Sequence, residues 1–219
     1  VERRAAGEPL AYLIGEREFH GLRFVVSPAV LVPRPETELL VDWSLAVLRA
    51  SEAAPIVDLG TGSGAIAVTL ARRRPDLHVT ATDIDLTALR VAQLNAKQLG
   101  ASIEYLHGSW WQPVAGRRFQ LAVSNPPYID ENDPHLPNLR HEPRHALTPG
   151  GDGLAALRQI VCGAPAHLQP GGWLLLEHGH DQGAAVRALL DDAGFTCPQT
   201  RRDLAGLERC SGACWPGDT

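Results

Sequence analysis

The chain has 219 residues, of which 44% are hydrophobic and 21% are charged, as in a globular protein with a sizeable core. Its formal net charge of −5 argues against general nucleic-acid binding, which needs a basic face. No apolar run approaches the roughly 18 residues of a membrane span, and the polar first residues do not resemble a signal peptide. We therefore expect a cytoplasmic protein that binds neither membranes nor nucleic acid directly.

Four cysteines are spread thinly over the last third of the chain, at Cys162, Cys197, Cys210 and Cys214. A disulfide framework in a small secreted protein would be denser. The last two are four residues apart, which differs from the two-residue gap of a zinc knuckle. We interpret all four as reduced thiols and predict no metal site, with metal binding as a minor alternative.

The first 34 residues are predicted to form an appendage to the main domain. Residues 1–15 are typical of the end of a helix that enters a turn at residues 7–9. Residues 16–26 predict a β-hairpin, because β-branched and aromatic residues occupy both arms. The chain contains no methionine, even at its start, so we expect a fragment or a processed form.

The main domain is predicted to occupy residues 35–219 and to open with a helix. Pro35 has the fixed φ angle of a first helical residue, and Glu36 and Glu38 follow in the first turn, where the helix dipole favours acids. Apolar residues then recur at helical spacing as far as Leu48. Arg34, just before this helix, is equally consistent with a contact to a carboxylate and with a solvated side chain.

From residue 55 onward, predicted strands and helices alternate. The strands are expected at residues 56–59, 77–82, 103–107, 119–124, 173–177 and 195–200, and the helices at residues 65–73, 86–99, 154–168 and 182–193. This alternation indicates an α/β fold, an open sheet with helices on both faces. In such sheets ligands bind outside the carboxyl ends of the strands, where the polar motifs of this chain also fall.

A glycine-rich loop, residues 58–64 (DLGTGSG), follows the first of these strands and opens a helix. Glycines let the backbone turn sharply and approach a ligand closely. Gly60, Gly62 and Ala65 also satisfy the dinucleotide pattern G-x-G-x-x-G/A, so an NAD-dependent oxidoreductase is one alternative. A tight strand-to-helix turn without a ligand is another.

Two acids follow the second strand of this series. Asp83 lies 19 residues after Gly64, in the position from which a carboxylate accepts hydrogen bonds from both ribose hydroxyls. This arrangement suits NAD and S-adenosylmethionine equally. Asp85 has a simpler role, because we predict that it caps the helix beginning at Leu86.

The sequence Asn125-Pro126-Pro127-Tyr128, at the end of the fourth strand, decides between these ligands. A conjugated amide or amine nitrogen is a poor nucleophile, so it must be held in line with the methyl group that it attacks. The Asn125 side-chain oxygen and the Pro126 carbonyl can accept its two N–H groups and favour the positively charged transition state. The prolines fix the carbonyl, and Tyr128 offers an aromatic face. We predict an S-adenosylmethionine-dependent methyltransferase that alkylates a planar nitrogen; a rigid surface turn is the alternative.

The motifs together resemble those of the class I S-adenosylmethionine-dependent methyltransferases, and more narrowly those of the peptide chain release factor glutamine N5-methyltransferases. The resemblance covers nearly the whole chain. Residues 32–38 (VPRPETE), combined with the Asn-Pro-Pro-Tyr sequence, carry most of its specificity. The Asn-Pro-Pro-Tyr sequence alone is shared with adenine-N6 methyltransferases of DNA and RNA. The resemblance implies a Rossmann-like fold with a mostly parallel seven-stranded sheet, preceded by the hairpin.

The resemblance also implies roles for individual residues. The cofactor-binding set would hold the methionine, ribose and adenine parts of S-adenosylmethionine, and it consists of Gly60, Thr61, Gly62, Ser63, Gly64, Asp83, Trp110 and Asn125. The substrate-binding set is Asn125, Pro126, Pro127 and Tyr128, of which Asn125, Pro126 and Tyr128 are the expected catalytic residues. The substrate would be the glutamine of the Gly-Gly-Gln loop in class 1 release factors, and the enzyme is expected to be a monomer.

Several features depart from the family pattern. Ser109 occupies a position where the family often carries an aspartate that would bond the adenine amino group, and Trp111 lies beside Trp110, with core packing as the alternative for either ring. The family carries an N-terminal helical domain, of which residues 1–34 hold at most a remnant. A cofactor-binding but poorly active form is therefore an alternative. Residues 210–219 differ from the expected terminal strand.

Two further regions are predicted near the site. Residues 130–149 follow Tyr128 without a regular pattern, which favours a lid or a partner-binding segment over a solvated connection. Glu177, His178 and His180 end a strand, and a general base is conceivable there, although the chemistry does not require one. The His-x-His pattern is more often strand-end packing than a metal site.

Overall fold

The computed structural model describes residues 2–48 and 53–217. Its N-terminal segment contains two short helices and a β-hairpin, namely α1 (Glu2–Ala5), α2 (Leu10–Ile14), β1 (Glu16–Phe19) and β2 (Leu22–Val25). The predicted hairpin is confirmed, and α2 is a second helix beyond the predicted turn. The expected domain boundary at residue 34 stays a prediction. The hairpin is attached to the rest of the chain by two hydrogen bonds between the Asn95 side chain and the Val25 backbone, at 2.7 and 3.0 Å.

The remaining elements form the α/β unit. Its helices are α3 (Glu38–Val47), α4 (Ala65–Arg73), α5 (Leu86–Leu99), α6 (Ala155–His167) and α7 (Gly183–Asp192). Its strands are β3 (Pro55–Leu59), β4 (His78–Asp83), β5 (Glu104–His107), β6 (Phe119–Ser124), β7 (Leu168–Glu177), β8 (Thr196–Arg202) and β9 (Glu208–Cys214). Pro35 begins a short 3-10 turn that leads into α3 rather than the α-helix itself.

The strands form one seven-stranded sheet in the order β5-β4-β3-β6-β7-β9-β8. The pairs from β5 to β7 are parallel, and β9 runs antiparallel to both of its neighbours. The expected open, mostly parallel seven-stranded sheet is therefore confirmed. Within the described residues, no helix is long and apolar enough to cross a membrane.

The sheet is buried on both faces because helices cover each side. Consecutive residues of β3 belong to different cores: Ile56 packs with α3, α4 and α5, whereas Val57 packs with α6 and α7. Leu175 of β7 faces the first core, and Leu174 and Leu176 face the second. Such two-sided burial explains why these strands are short continuous apolar runs. It also leaves the carboxyl ends of the strands as the open edge of the sheet.

Two strands differ from the prediction. Strand β7 begins at Leu168 and includes residues 170–172, which were expected to separate helix from strand. Its pairing with β6 shifts register there, and a Cβ at Gly172 would lie 2.8 Å from the Gln169 carbonyl oxygen. The Pro-Gly-Gly sequence therefore permits an irregular, close strand pairing rather than a stop.

Strand β9 lies in the tail for which no strand is predicted above. Its central residues are small and carry no alternating pattern, because the strand is enclosed between β7 and β8. Gly212 shows the constraint, since a Cβ there would meet a methyl carbon of Leu175 at 2.4 Å. Close packing selects small side chains here, and periodicity alone does not reveal the strand.

Candidate active site

A cavity of about 480 Å³ opens at the carboxyl ends of β3, β4 and β6. This volume falls in the range of small-molecule binding sites. The cavity brings together most of the predicted cofactor and substrate residues, namely Gly60, Thr61, Gly62, Ser63, Asp83, Trp110, Asn125, Pro126 and Pro127. Among the described residues, Gly64 and Tyr128 belong to the predicted set but lie outside the cavity lining.

The glycine loop is held against β4 by its own backbone. The amides of Gly60 and Thr61 both donate to the Thr82 carbonyl at 2.9 Å, and the Gly62 amide donates to Asp83 Oδ2 at 2.8 Å. Gly60, Gly62 and Gly64 have φ angles of 72°, 56° and 81°, in the left-handed region that glycine adopts without strain. Gly64 precedes α4 and lets it approach α5; its predicted cofactor contact stays a prediction.

Asp58, at the end of β3, is a site residue that the sequence analysis leaves without a role. It is fully buried beneath the loop, where Oδ2 accepts from the Thr61 hydroxyl at 2.7 Å and from the Ala67 amide at 3.2 Å. Its other oxygen, Oδ1, has no hydrogen-bond partner within the described chain. Burial raises the pKa of this carboxyl to about 7, against the lowering effect of these two bonds. The sequence signal that identifies this residue is an acid near the end of a strand, two residues before the first glycine of the loop, Gly60.

Asp83 lines the cavity from the end of β4. Its oxygens accept from the Gly62 amide at 2.8 Å and the Asp85 amide at 2.9 Å, which fixes the carboxylate while leaving lone pairs for a ligand. Burial raises its pKa. The predicted cap is confirmed, because Asp85 accepts from the Thr87 amide at 2.6 Å at the start of α5.

The two neighbouring tryptophans have different environments. Trp110 lines the cavity, and its ring lies 3.1 Å from the place where Gly60 would carry a Cβ. Its Nε1 donates to Gln159 Oε1 at 2.9 Å, which holds the ring in position. Trp111 instead belongs to the core, where it stacks on His167 with ring centroids 4.9 Å apart. Core packing therefore describes Trp111, and Trp110 presents a flat apolar surface to the cavity.

Asn125 lies at the end of β6 and faces the cavity. Its Nδ2 donates to the Thr37 hydroxyl at 3.1 Å. Since the amide nitrogen is engaged there, Oδ1 is the group available to accept a hydrogen bond from a donor in the cavity. Thr37 is buried, lines the cavity and belongs to the VPRPETE segment, to which the sequence analysis assigns no individual function.

Tyr128 is held by the protein framework. Its hydroxyl donates to Glu177 Oε1 at 3.1 Å, and its carbonyl accepts from Gln182 Nε2 at 2.9 Å. Burial raises the pKa of the phenol, and the neighbouring Glu177 raises it further. The predicted stacking of its ring against a flat group stays a prediction.

The segment of residues 130–149 folds over the cavity, and we call it the lid. Its last part contributes His145, Ala146, Thr148 and Pro149 to the lining. Glu142 of the lid is buried, pairs with Arg34 and accepts from the Val32 amide at 3.1 Å. Arg34 therefore contacts a carboxylate of its own chain, and the lid interpretation is favoured over a solvated connection.

Of the two histidines after β7, His178 is engaged internally and His180 is exposed. His178 is fully buried and interacts through Nε2 with the Ser211 hydroxyl and through Nδ1 with the Gly179 carbonyl, both at 2.8 Å. Burial lowers its pKa. Over residues 2–48 and 53–217, no group of three or more His, Cys, Asp or Glu side chains could hold a metal ion.

Comparison with known proteins now identifies the family. Residues 36–192 match the methyltransferase small domain model. The release factor glutamine methyltransferase of Burkholderia pseudomallei (strain K96243) is 53% identical over 224 residues, covering 98% of this chain and 79% of that protein. The protein of the same description from Bordetella pertussis is 54% identical over 213 residues, covering 96% and 79% respectively. The chain belongs to the release factor glutamine methyltransferase family.

The family also accounts for the fold. The 16S rRNA N2 G1207 methyltransferase of T. thermophilus, solved in complex with AdoMet and guanosine, superposes with a TM-score of 0.65 at 20% identity. That superposition covers 91% of this chain and 49% of the other, and it demonstrates a shared fold. The Rossmann-like class I methyltransferase architecture is therefore confirmed.

The chain is an S-adenosylmethionine-dependent methyltransferase, and the cavity fits that cofactor. The turn at Gly62 leaves open space where a side chain would begin, which allows close approach of the backbone to a ligand. The Asp83 carboxylate suits a ribose, and the Trp110 ring suits an aromatic base. Oδ1 of Asp58, buried beneath the loop, is a further polar group for which residues 2–48 and 53–217 supply no donor.

Proposed function

We propose that this chain transfers a methyl group from S-adenosylmethionine to the side-chain amide nitrogen of the glutamine in the Gly-Gly-Gln motif of class 1 release factors. The observation that carries this proposal is the orientation of Asn125, whose Nδ2 is engaged by Thr37 while Oδ1 is left for the cavity. The relatives named release factor glutamine methyltransferase support the same acceptor.

The cofactor contacts are assigned to the glycine loop and its surroundings. Gly60, Thr61, Gly62, Ser63 and Gly64 hold the methionine portion, Asp83 accepts from the ribose hydroxyls, and Trp110 packs on the adenine. When bound, S-adenosylmethionine supplies an electrophilic methyl group on a sulfonium centre. Asn125 lines the same cavity as the glycine loop, Asp83, Pro126 and Pro127, which supports its assignment to both sets.

The substrate amide is held by acceptors. Asn125 Oδ1 and the Pro126 carbonyl accept its two N–H groups, which orients the nitrogen lone pair towards the methyl group. The same oxygens would stabilise the positive charge that develops on the nitrogen as the new N–C bond forms and the bond between the methyl carbon and sulfur breaks, with its electron pair remaining on sulfur. One N–H proton then leaves to solvent, so no strong base is needed. Pro127 and Tyr128 complete the binding surface for the flat amide.

Further properties follow from the charge and the substrate. A chain with a net charge of −5 is expected to recognise the release factor itself rather than bind nucleic acid directly. We infer that it acts as a monomer and, because its substrate acts in translation, in the cytoplasm. Division into an N-terminal remnant of residues 1–34 and a catalytic domain of residues 35–219 belongs to the same proposal.

The test is mass spectrometry of a purified class 1 release factor after incubation with this chain and S-adenosylmethionine. We expect a single methyl increment on the peptide that contains Gly-Gly-Gln, and none on a control factor in which that glutamine is replaced by alanine. With an isotopically labelled methyl donor, label in DNA or RNA alone would contradict the proposal and favour adenine-N6 methylation. Binding of S-adenosylhomocysteine without transfer to any acceptor would instead indicate a poorly active form.

A further inference from the structure

Gln159 is a side chain of α6 that has no role in the reaction described above. It lines the cavity together with Trp110, and its Oε1 accepts from Trp110 Nε1 at 2.9 Å. An indole N–H can only donate, so the carboxamide presents its oxygen rather than its nitrogen to the ring. The Nε2 group keeps both of its N–H donors, since within residues 2–48 and 53–217 it has no hydrogen-bond partner.

The backbone holds Trp110 in a conformation that side chains other than glycine rarely adopt. Its φ angle of 43° lies in the left-handed region. Two bonds attach the turn to the end of β4: the Gly108 amide donates to the Asp83 carbonyl at 3.0 Å, and the Thr82 hydroxyl donates to the Trp110 carbonyl at 3.3 Å. Sparsely populated conformations persist where the surrounding structure imposes them, and they cluster at ligand sites. The indole and Asp83 are therefore fixed to the same strand end.

The chemistry of an adenine base requires more than a flat surface. An aromatic ring stacks on any base, so Trp110 alone does not distinguish adenine from the others. The ring nitrogens of adenine are acceptors, and they need a donor. The ionised carboxylate of Asp83 only accepts, and the Trp110 N–H is engaged by Gln159. The Nε2 group of Gln159 is an unengaged donor held at the edge of the indole, as a ring nitrogen requires.

We propose that Gln159 is a specificity-determining residue for the adenine of the cofactor, with Oε1 fixing Trp110 and Nε2 donating to a ring nitrogen of the base. A single carboxamide thus supports the stacking surface and reads the base that lies on it. A base with a hydrogen on the facing ring atom would oppose donor to donor and bind less well. This proposal deepens the proposed function, because it rests on the assignment of Trp110 to the adenine.

Two variants separate the two atoms of the carboxamide. Gln159→Glu keeps an oxygen for the indole N–H but replaces the NH₂ group by a second acceptor, whereas Gln159→Leu removes both. At about pH 8, where an exposed glutamate is ionised, the dissociation constant of S-adenosylhomocysteine should rise about 5- to 20-fold in either variant. Gln98→Leu, on an exposed part of α5 outside the cavity lining, is the matched control and should leave it unchanged.

Analogues of S-adenosylhomocysteine test the contact with the base directly. In three deaza analogues, N1, N3 or N7 of the adenine is replaced by a C–H group, which cannot accept. We expect one analogue to bind wild type about fivefold or more weakly than S-adenosylhomocysteine, and to bind Gln159→Leu as well as S-adenosylhomocysteine does. The two proteins should show equal ratios for the other two analogues. Comparing ratios cancels the effect of each substitution on stacking.

The indole N–H signal of Trp110 in ¹H–¹⁵N spectra reports the other end of the carboxamide. Its shift should stay that of a hydrogen-bonded group in Gln159→Glu and change in Gln159→Leu, so the affinity lost in Gln159→Glu comes from the base contact. The Ser109 hydroxyl also lines the cavity, and Ser109→Ala should keep the selective loss for the one analogue. Wild-type affinity in Gln159→Glu, equal ratios for all three analogues in wild type and Gln159→Leu, or disappearance of the selective loss in Ser109→Ala alone would overturn the proposal.

These measurements use no release factor, so they separate the proposal from the proposed function. A selective loss that depends on Gln159, found without methylation of a release factor, would support the proposal and refute the substrate assignment alone. Methylation without that dependence would refute the role of Gln159 alone. An indole signal of Trp110 that does not respond to S-adenosylhomocysteine would place the adenine elsewhere and overturn the assignments of both side chains.

Discussion

The two halves of the cavity are built in different ways. The cofactor half is formed by residues that are close in sequence. For example, Gly62 and Asp83, which are joined by a hydrogen bond, are 21 residues apart. The acceptor half joins distant segments: Asn125 bonds Thr37 across 88 residues, and Tyr128 bonds Glu177 across 49. A cofactor site can therefore be assembled by one strand-helix-strand unit, whereas the orientation of the acceptor site requires the whole sheet.

Both halves nevertheless rest on a buried carboxyl at a strand end. Asp58 supports the glycine loop, and Glu177 lies beneath the Asn-Pro-Pro-Tyr segment; burial raises the pKa of each to about 7. The difference lies in what the acid holds. Asp58 accepts from a backbone amide and a hydroxyl within nine residues, so its effect is local, while Glu177 accepts from the Tyr128 hydroxyl, 49 residues away in the chain.

The largest expected effect separates catalysis from cofactor binding. Asn125→Ala removes the oriented acceptor, and we expect kcat to fall about 100- to 1,000-fold, the range for loss of one group that stabilises transition-state charge. The dissociation constant of S-adenosylhomocysteine, measured by calorimetry, should change by no more than a few-fold. Asn138→Ala, on an exposed part of the lid, is the control. Retained turnover in Asn125→Ala would show that the acceptor half is misassigned.

The second prediction compares the two buried acids through pH-dependent stability. Because burial raises both pKa values, the folded state holds these protons more tightly than the unfolded chain. Each acid thus stabilises the fold fully below about pH 4, and this contribution is lost as pH rises towards 7. The free energy of unfolding, from urea titrations without ligand, should fall over this interval by about 3 kcal/mol for each acid.

Asp58→Asn and Glu177→Gln should each flatten this profile independently, since the two acids lie in different halves. The quantity to compare is the slope of the unfolding free energy against pH. The absolute unfolding free energy is less informative, because either substitution can change it through lost hydrogen bonds. A slope in either variant as steep as that of the wild type would mean that the acid concerned titrates normally in the folded chain.

A smaller effect is expected at the ribose position. Asp83→Asn keeps the shape of the side chain but replaces the charged carboxylate acceptor by a neutral amide. We expect the dissociation constant of S-adenosylmethionine to rise about 10- to 50-fold, which corresponds to roughly 1.5–2.5 kcal/mol. At saturating cofactor, kcat should stay within a few-fold of wild type. Asp191→Asn, on the exposed face of α7, serves as the comparison, and equal affinity in both variants would exclude Asp83 from the cofactor site.

The smallest effect concerns the lid, which joins the two halves. Arg34→Met leaves the buried Glu142 without its ionic partner, and we expect a loss of about 1 kcal/mol, since Arg34 itself is partly exposed. Stopped-flow measurement should also show faster release of S-adenosylhomocysteine. Arg23→Met breaks the exposed pair with Glu16 and should be neutral by both measures. Equal stability and equal release rates in the two variants would show that the Arg34–Glu142 pair does not hold the lid in place.

Features with local causes could be predicted from the order of residues alone. Alternating apolar runs predict the α/β class, and helices 65–73 and 86–99 lie where the sequence places them; for the second helix, the Asp85 cap and the Gly100 stop mark both ends. The glycine loop, Asp83 and the Asn-Pro-Pro-Tyr sequence were readable because each lies where its strand ends, and parallel strands bring those ends together.

Features that depend on partners distant in the chain appear only after folding. Strand β9 contains small residues because it packs closely against β7, and its sequence therefore lacks the periodic pattern by which a strand is predicted. Thr37 and Glu177 look like ordinary helix-start and strand-end residues until folding places them beside Asn125 and Tyr128. Hydrogen-bond direction belongs to the assembled group rather than to any residue alone, and for that reason the polarity of the acceptor site appears only in the folded chain.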